Sequence, residues 1–203
     1  MMYAGFIGAL FFATAAMVGV LAGNTLVERI ERFTDGPQPW HPPLWALVGS
    51  CAVIGAIVTA RTSDPVQLLL IACVCAALCA AFITDAKRGV VPDVLSVGPL
   101  AAMLLGALWQ HQWWVFVSAA IPFAPFAIAA ALSRGKGMGW GDAKLAALAG
   151  AFLGPSAATL SLGIACAAAV AVRYATRKTR EPLALAPYLV SAVGVAVPIA
   201  MMR

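Results

Sequence analysis

Long apolar stretches, broken by short polar ones, organise this chain. Eight hydrophobic segments can be read, at about 3–27, 44–60, 66–84, 93–109, 113–133, 143–154, 156–175 and 183–202. Most approach the roughly 17–25 residues that a helix needs to cross a hydrocarbon core. The pattern predicts an all-α, polytopic membrane bundle of about eight transmembrane segments. Residues 1–203 are expected to form a single integral-membrane domain, with no separate soluble domain or long linker. The first segment has no small-residue cleavage site clearly separated from it, and it continues into Asn24 and Arg29. It is therefore expected to be a retained helix rather than a removed signal peptide.

The sixth segment breaks the pattern. Its apolar run from Ala143 to Leu153 would give a helix of only about 17 Å at 1.5 Å per residue. A hydrocarbon core is about 30 Å thick. The run is entered from Gly137-Met138-Gly139-Trp140-Gly141-Asp142 and ends at Gly154-Pro155, a pair suited to stopping one helix and starting another. A short helix would leave the glycine-rich entry below the membrane surface. Irregular backbone at such depth is tolerated where protein buries it or water wets it, so it points to a site. Gly139 and Gly141 are expected to supply positive φ and close helix approach.

Composition agrees with the membrane assignment: 63% of residues are hydrophobic and 10% charged, too much apolar surface for a soluble domain of this length to hide. The net charge of +5 does not indicate nucleic acid, because the basic residues sit in short loops between apolar runs. With the N-terminus outside, the inner loops hold 11 of the 13 basic residues, all but Arg61 and Arg203. The positive-inside rule then predicts that both termini lie outside. Asp85 and Asp142 fall at the cytoplasmic side. Trp109, Trp113 and Trp114 flank the opposite boundary, either as interfacial anchors or as packing residues.

The five cysteines, Cys51, Cys73, Cys75, Cys79 and Cys166, lie within apolar runs and read as small buried hydrophobes. They lack zinc-site spacing, and no His/Glu cluster accompanies them, so no metal and no cofactor is expected. The only histidines, His41 and His111, offer no serine–histidine mechanism.

That leaves two acids at comparable depth, Asp85 and Asp142, beside apolar runs where an unpaired charge is expensive. A carboxylate and a carboxylic acid held close together can act as general base and general acid, sharing one proton. Each also has a plainer reading. Asp142 could cap the sixth helix. Asp85 could be an interfacial charge paired with Lys87 or Arg88. Asp93, after Pro92, is expected to cap the fourth helix. Lys87, Arg88, Lys136 and Lys144 are expected to snorkel to the headgroups or to hold charged groups of a substrate. Helix-end electrostatics would separate the acids: the start of a helix favours a carboxylate at Asp142, and the end of one disfavours it at Asp85.

Two stretches carry a resemblance: Asp85-Ala86-Lys87-Arg88-Gly89-Val90-Val91-Pro92-Asp93, and Gly137 through Leu145 with its Gly-x-Gly-Asp. Weaker matches are Asn24 with Arg29, and Glu181-Pro182-Leu183-Ala184-Leu185-Ala186-Pro187-Tyr188. Together they resemble the prepilin peptidases (type IV leader peptidases), a branch of the Gly-x-Gly-Asp intramembrane aspartyl proteases. The resemblance implies catalysis by Asp85 and Asp142, with Gly139, Gly141, Lys144, Pro92 and Asp93 supporting them. It implies prepilin or pseudopilin substrates cut at the cytoplasmic side, contact with membrane lipid, and a bacterial inner-membrane location. Many family members carry a cytoplasmic loop with two Cys-x-x-Cys pairs. Here the corresponding segment, 28–43, is short and has no cysteine, so metal binding does not carry over and N-methylation of the product stays open. A small proton-coupled transporter or channel using the aspartate pair is the alternative.

Overall fold

The computed structural model describes residues 2–31, 44–62, 64–133, 138–175 and 185–200. Among the described residues the fold is eight α-helices without strands: α1 (Met2–Glu31), α2 (Leu44–Thr59), α3 (Pro65–Arg88), α4 (Asp93–Trp109), α5 (Trp114–Leu132), α6 (Trp140–Leu153), α7 (Pro155–Ala175) and α8 (Ala186–Ala200). Four of them are long and apolar enough to cross a membrane: α3, α5, α7 and, within α1, Gly5–Arg29. The chain is a polytopic helical membrane bundle.

The boundaries follow local chemistry. Asp64 accepts the N–H of Val66 at 3.0 Å and caps α3, with Pro65 at the first helical position, where its missing N–H costs nothing. α3 stops at Gly89, whose φ of 66° only glycine adopts easily and whose N–H bonds the carbonyl of Asp85 at 2.7 Å. Pro92, extended at φ −60° and ψ 137°, then starts α4. The turn from α3 into α4 is therefore four residues long, 89–92.

The C-terminal half of α3 and most of α6 are enclosed by the other helices. Leu78 through Ala86 of α3 are buried without a break, as are Leu145 through Ala151 of α6. A helix apolar on all sides belongs at the centre of a bundle. α3 packs against α1, α2, α4 and α8, and α6 packs against α4, α5, α7 and α8. The backbones of α3 and α6 do not meet directly; α4 and α8 pack on both and bridge them. Small residues let the remaining helices close in. A side chain at Gly19 would fall 2.2 Å from the carbonyl oxygen of Ala76, and one at Gly150 would fall 2.2 Å from that of Ser118. These contacts draw α1 onto α3 and α6 onto α5. Small-residue packing of this kind is how apolar helices associate where lipid removes the hydrophobic driving force.

At the far end of α4 and the start of α5, Trp109, Trp113 and Trp114 are exposed, which speaks against their reading as packing residues. Cys51, Cys75 and Cys79 are buried, with the sulfurs of Cys51 and Cys79 3.5 Å apart between α2 and α3. Cys73 is exposed, which corrects its reading as a buried residue: it lies on the outer face of α3.

Candidate active site

The residues singled out in the sequence gather at one end of the bundle. Asp85 sits in the last turn of α3, since that helix runs on to Arg88 rather than ending with the apolar run. Asp142 sits in the first turn of α6, which begins at Trp140, three residues before its apolar run. The two carboxyls are 6% and 9% exposed and lie within Coulombic reach of each other. α3 and α6 share no backbone contact, so the two acids are brought within reach of each other from separate helices.

Each acid accepts a backbone N–H. Asp142 is the third residue of α6, with Gly139 in the capping position, so its plainer reading as the cap does not hold. Its Oδ2 instead accepts the N–H of Gly139 at 3.2 Å, folding the entry loop back onto the first turn. Asp85 Oδ2 accepts the N–H of Ala186 at 3.0 Å, from a residue 101 positions later. Ala186 is the first residue of α8, and Pro187 follows it with no N–H to satisfy. The Leu185 carbonyl accepts from Tyr188 and Leu189. Asp85 thus takes up the free N–H at the start of α8, the kind of group every helix N-terminus leaves over. Asp85 therefore stands both at the end of α3 and at the start of α8, so the disfavour expected from the first terminus is opposed by the second.

The neighbouring lysines are engaged elsewhere. Lys87 Nζ donates to Asn24 Oδ1 at 2.9 Å, tying the end of α3 to α1, so Lys87 is not the ion-pair partner of Asp85. This bond gives the weak Asn24 match a structural role, while Arg29 is exposed beyond it. Lys144 forms an ion pair with Asp93 Oδ1. Asp93 is consequently the first helical residue of α4 and a partner for α6, not the cap that the sequence suggests; Pro92 occupies the cap.

Neither Gly139 nor Gly141 has a positive φ, and only Gly141 makes a close approach. Gly139 has φ −82° and ψ 152°, an extended conformation open to any residue, which corrects the expected positive φ. Gly141 is helical, and a side chain there would meet Cβ of Val91 at 3.0 Å. Val91 can dock on α6 because position 141 has no side chain. Lys136, Gly137 and the stretch 181–184 lie outside the described residues.

Among the described residues no group of three or more His, Cys, Asp or Glu side chains could hold a metal ion. An open apolar cavity of about 640 Å³ runs between α7 and α8, bordered by Pro155, Leu160, Ile164, Ala168, Tyr188 and Val195.

The bond from Ala186 is the part of the site hardest to foresee. Its only sequence signal was a proline-bearing segment before the last apolar run, with nothing to say that an amide there would meet Asp85.

A family model described as the type IV leader peptidase family matches residues 70–173, from α3 through most of α7. No curated protein and no solved structure matches significantly.

Proposed function

Given that this chain belongs to the type IV leader peptidase family, and so is a peptidase, we propose that Asp85 and Asp142 make it an aspartyl endopeptidase. The observation that carries this reading is the pair of buried acids, within Coulombic reach of each other from separate helices and each held by a backbone amide. Two such carboxyls disfavour double ionisation and share a proton. The ionised one takes a proton from a water lying between them as its oxygen attacks the scissile carbonyl carbon. The protonated one gives its proton to the carbonyl oxygen. Collapse of the tetrahedral intermediate breaks the C–N bond, and the amine leaves with a proton returned through the pair.

The proposed substrates are prepilins or pseudopilins, cut between a short leader and a hydrophobic helix. The cavity between α7 and α8 supports this, because it reaches Tyr188, two residues beyond the amide that holds Asp85. An apolar helix lying there would run along α8 toward the terminus that holds Asp85. The proposed location is a bacterial inner membrane, with the residue 1–203 unit acting as one peptidase domain in contact with lipid. Co-expression with candidate prepilins, followed by intact mass and N-terminal analysis, tests the reading. Shortening of a prepilin at its leader junction is expected, and the same spectra report any N-methylation. Proton-coupled flux in liposomes without cleavage of any candidate would overturn it.

The basic ends of the helices support a cytoplasmic site with both termini outside. In a cysteine-free background, a single cysteine near Arg177 should be shielded from an impermeant reagent in intact cells, and one near Met202 should react. The reverse pattern would move the site to the other side.

A further inference from the structure

Two observations on the 89–93 turn remain outside the chemistry above. Val91 packs against Gly141, and Asp93 pairs with Lys144. Gly141 and Lys144 are three residues apart on α6, so they lie on one side of the helix, about 60° apart at 3.6 residues per turn. Asp142 projects about 100° round the axis from Gly141. It projects about 160° from Lys144, so the contacts with the turn and the acid lie on different faces of one rigid helix, and fixing one fixes the other.

The turn itself continues directly from α3. Asp85 lies four residues before Gly89, whose N–H bonds the Asp85 carbonyl. A short, capped connection thus runs from one acid, through Gly89 and Pro92, to two contacts beside the other. The backbones of α3 and α6 do not meet, so the backbone contacts that place one acid relative to the other run through other segments.

We propose that Val91–Gly141 and Asp93–Lys144 form a clasp that fixes the depth and rotation of α6, and with them the separation of Asp142 from Asp85. Lys144 is a positioning residue: its ammonium acts on Asp93 and not on the substrate or the lipid headgroups. The ion pair is poorly placed to serve stability, because the Asp93 side chain is 71% exposed and that of Lys144 29%. Exposed pairs contribute little to folding. Position is different, since a misplacement of about 1 Å in a reacting group can cost on the order of 10²-fold in rate.

The proposal rests on the peptidase reading for its kinetic arm only. Lys144→Met should lower kcat by about 10–100-fold with KM nearly unchanged. Lys144→Asp should do the same, and adding Asp93→Lys to it should restore at least about a tenfold part of the loss. Gly141→Ala should lower kcat as well, and Val91→Gly should relieve it by removing the Cβ that the new methyl would meet at 3.0 Å. The second arm needs no activity. In a background lacking the native cysteines, Asp85→Cys with Asp142→Cys reports the gap through its yield with short bis-thiol cross-linkers. That yield should change on Lys144→Met and return when the pair is reversed. Turnover lost while the cross-linking profile stays the same would overturn the clasp and make Lys144 a substrate contact. Wild-type turnover in Lys144→Met, or a reversed pair no better than Lys144→Asp in both arms, would overturn it too. A pair-dependent cross-linking profile in a protein that cleaves no prepilin would uphold the clasp and reject the peptidase reading.

Discussion

Asparagine at either Asp85 or Asp142 is expected to abolish cleavage while leaving a folded, membrane-inserted protein. Both substitutions are nearly isosteric. An amide oxygen can still accept the N–H of Ala186 at position 85, or that of Gly139 at position 142, so the local hydrogen bonds survive. What disappears is the shareable proton. General acid–base groups contribute about 10²–10⁴-fold each, and a pair that acts as a unit loses nearly everything with either member. Rates of prepilin processing by purified protein, beside a thermal-unfolding control, make the measurement. Wild-type processing by folded Asp142→Asn would end the assignment of the pair. Alanine is a poorer probe, because Asp85→Ala would leave the buried Ala186 N–H without its acceptor and mix a folding cost into the result.

The next largest effect is expected at Ala186. Proline there removes the N–H that holds Asp85, at the first position of a helix, where proline is otherwise well accommodated. A hydrogen bond to a charged group is worth about 1.5–3 kcal/mol. If that bond orients Asp85 in the transition state, its loss lowers kcat by about 10–100-fold. Ala186 is fully buried, so added bulk must be controlled for. Ala186→Val adds similar volume and keeps the N–H, and it should retain most of the activity. Equal losses in the proline and valine variants would assign the effect to packing and remove the hydrogen bond from the mechanism.

Much of the architecture was legible in the chain. The eight apolar runs correspond to eight helices because hydrophobic length is a one-dimensional property that the membrane imposes locally. The capping residues Asp64, Gly89, Pro92 and Gly154 mark their own boundaries in the same local way. The two acids were legible as well. A carboxylate is costly beside lipid wherever the chain goes, so Asp85 and Asp142 stood out before any folding was known.

Partnerships were not legible, because they depend on which helix surfaces meet. Asp93 read as a cap and is instead the counter-ion of Lys144, 51 residues away. Lys87 read as a headgroup anchor or a partner for Asp85, and it holds Asn24 of α1. Gly141 read as a place for positive φ or close approach, and which segment approaches, Val91 of the turn after α3, was not legible. The sequence by itself determined that this protein is a helical membrane bundle with two acids at one end, since hydrophobic length, helix caps and the cost of charge are set residue by residue. Only the tertiary structure decided that α3 and α6 stand apart with α4 and α8 between them, and that the start of α8 supplies the amide for Asp85. Those are facts of mutual packing. They come from small residues spaced so that particular helices fit together, and no local signal in the chain names the partner.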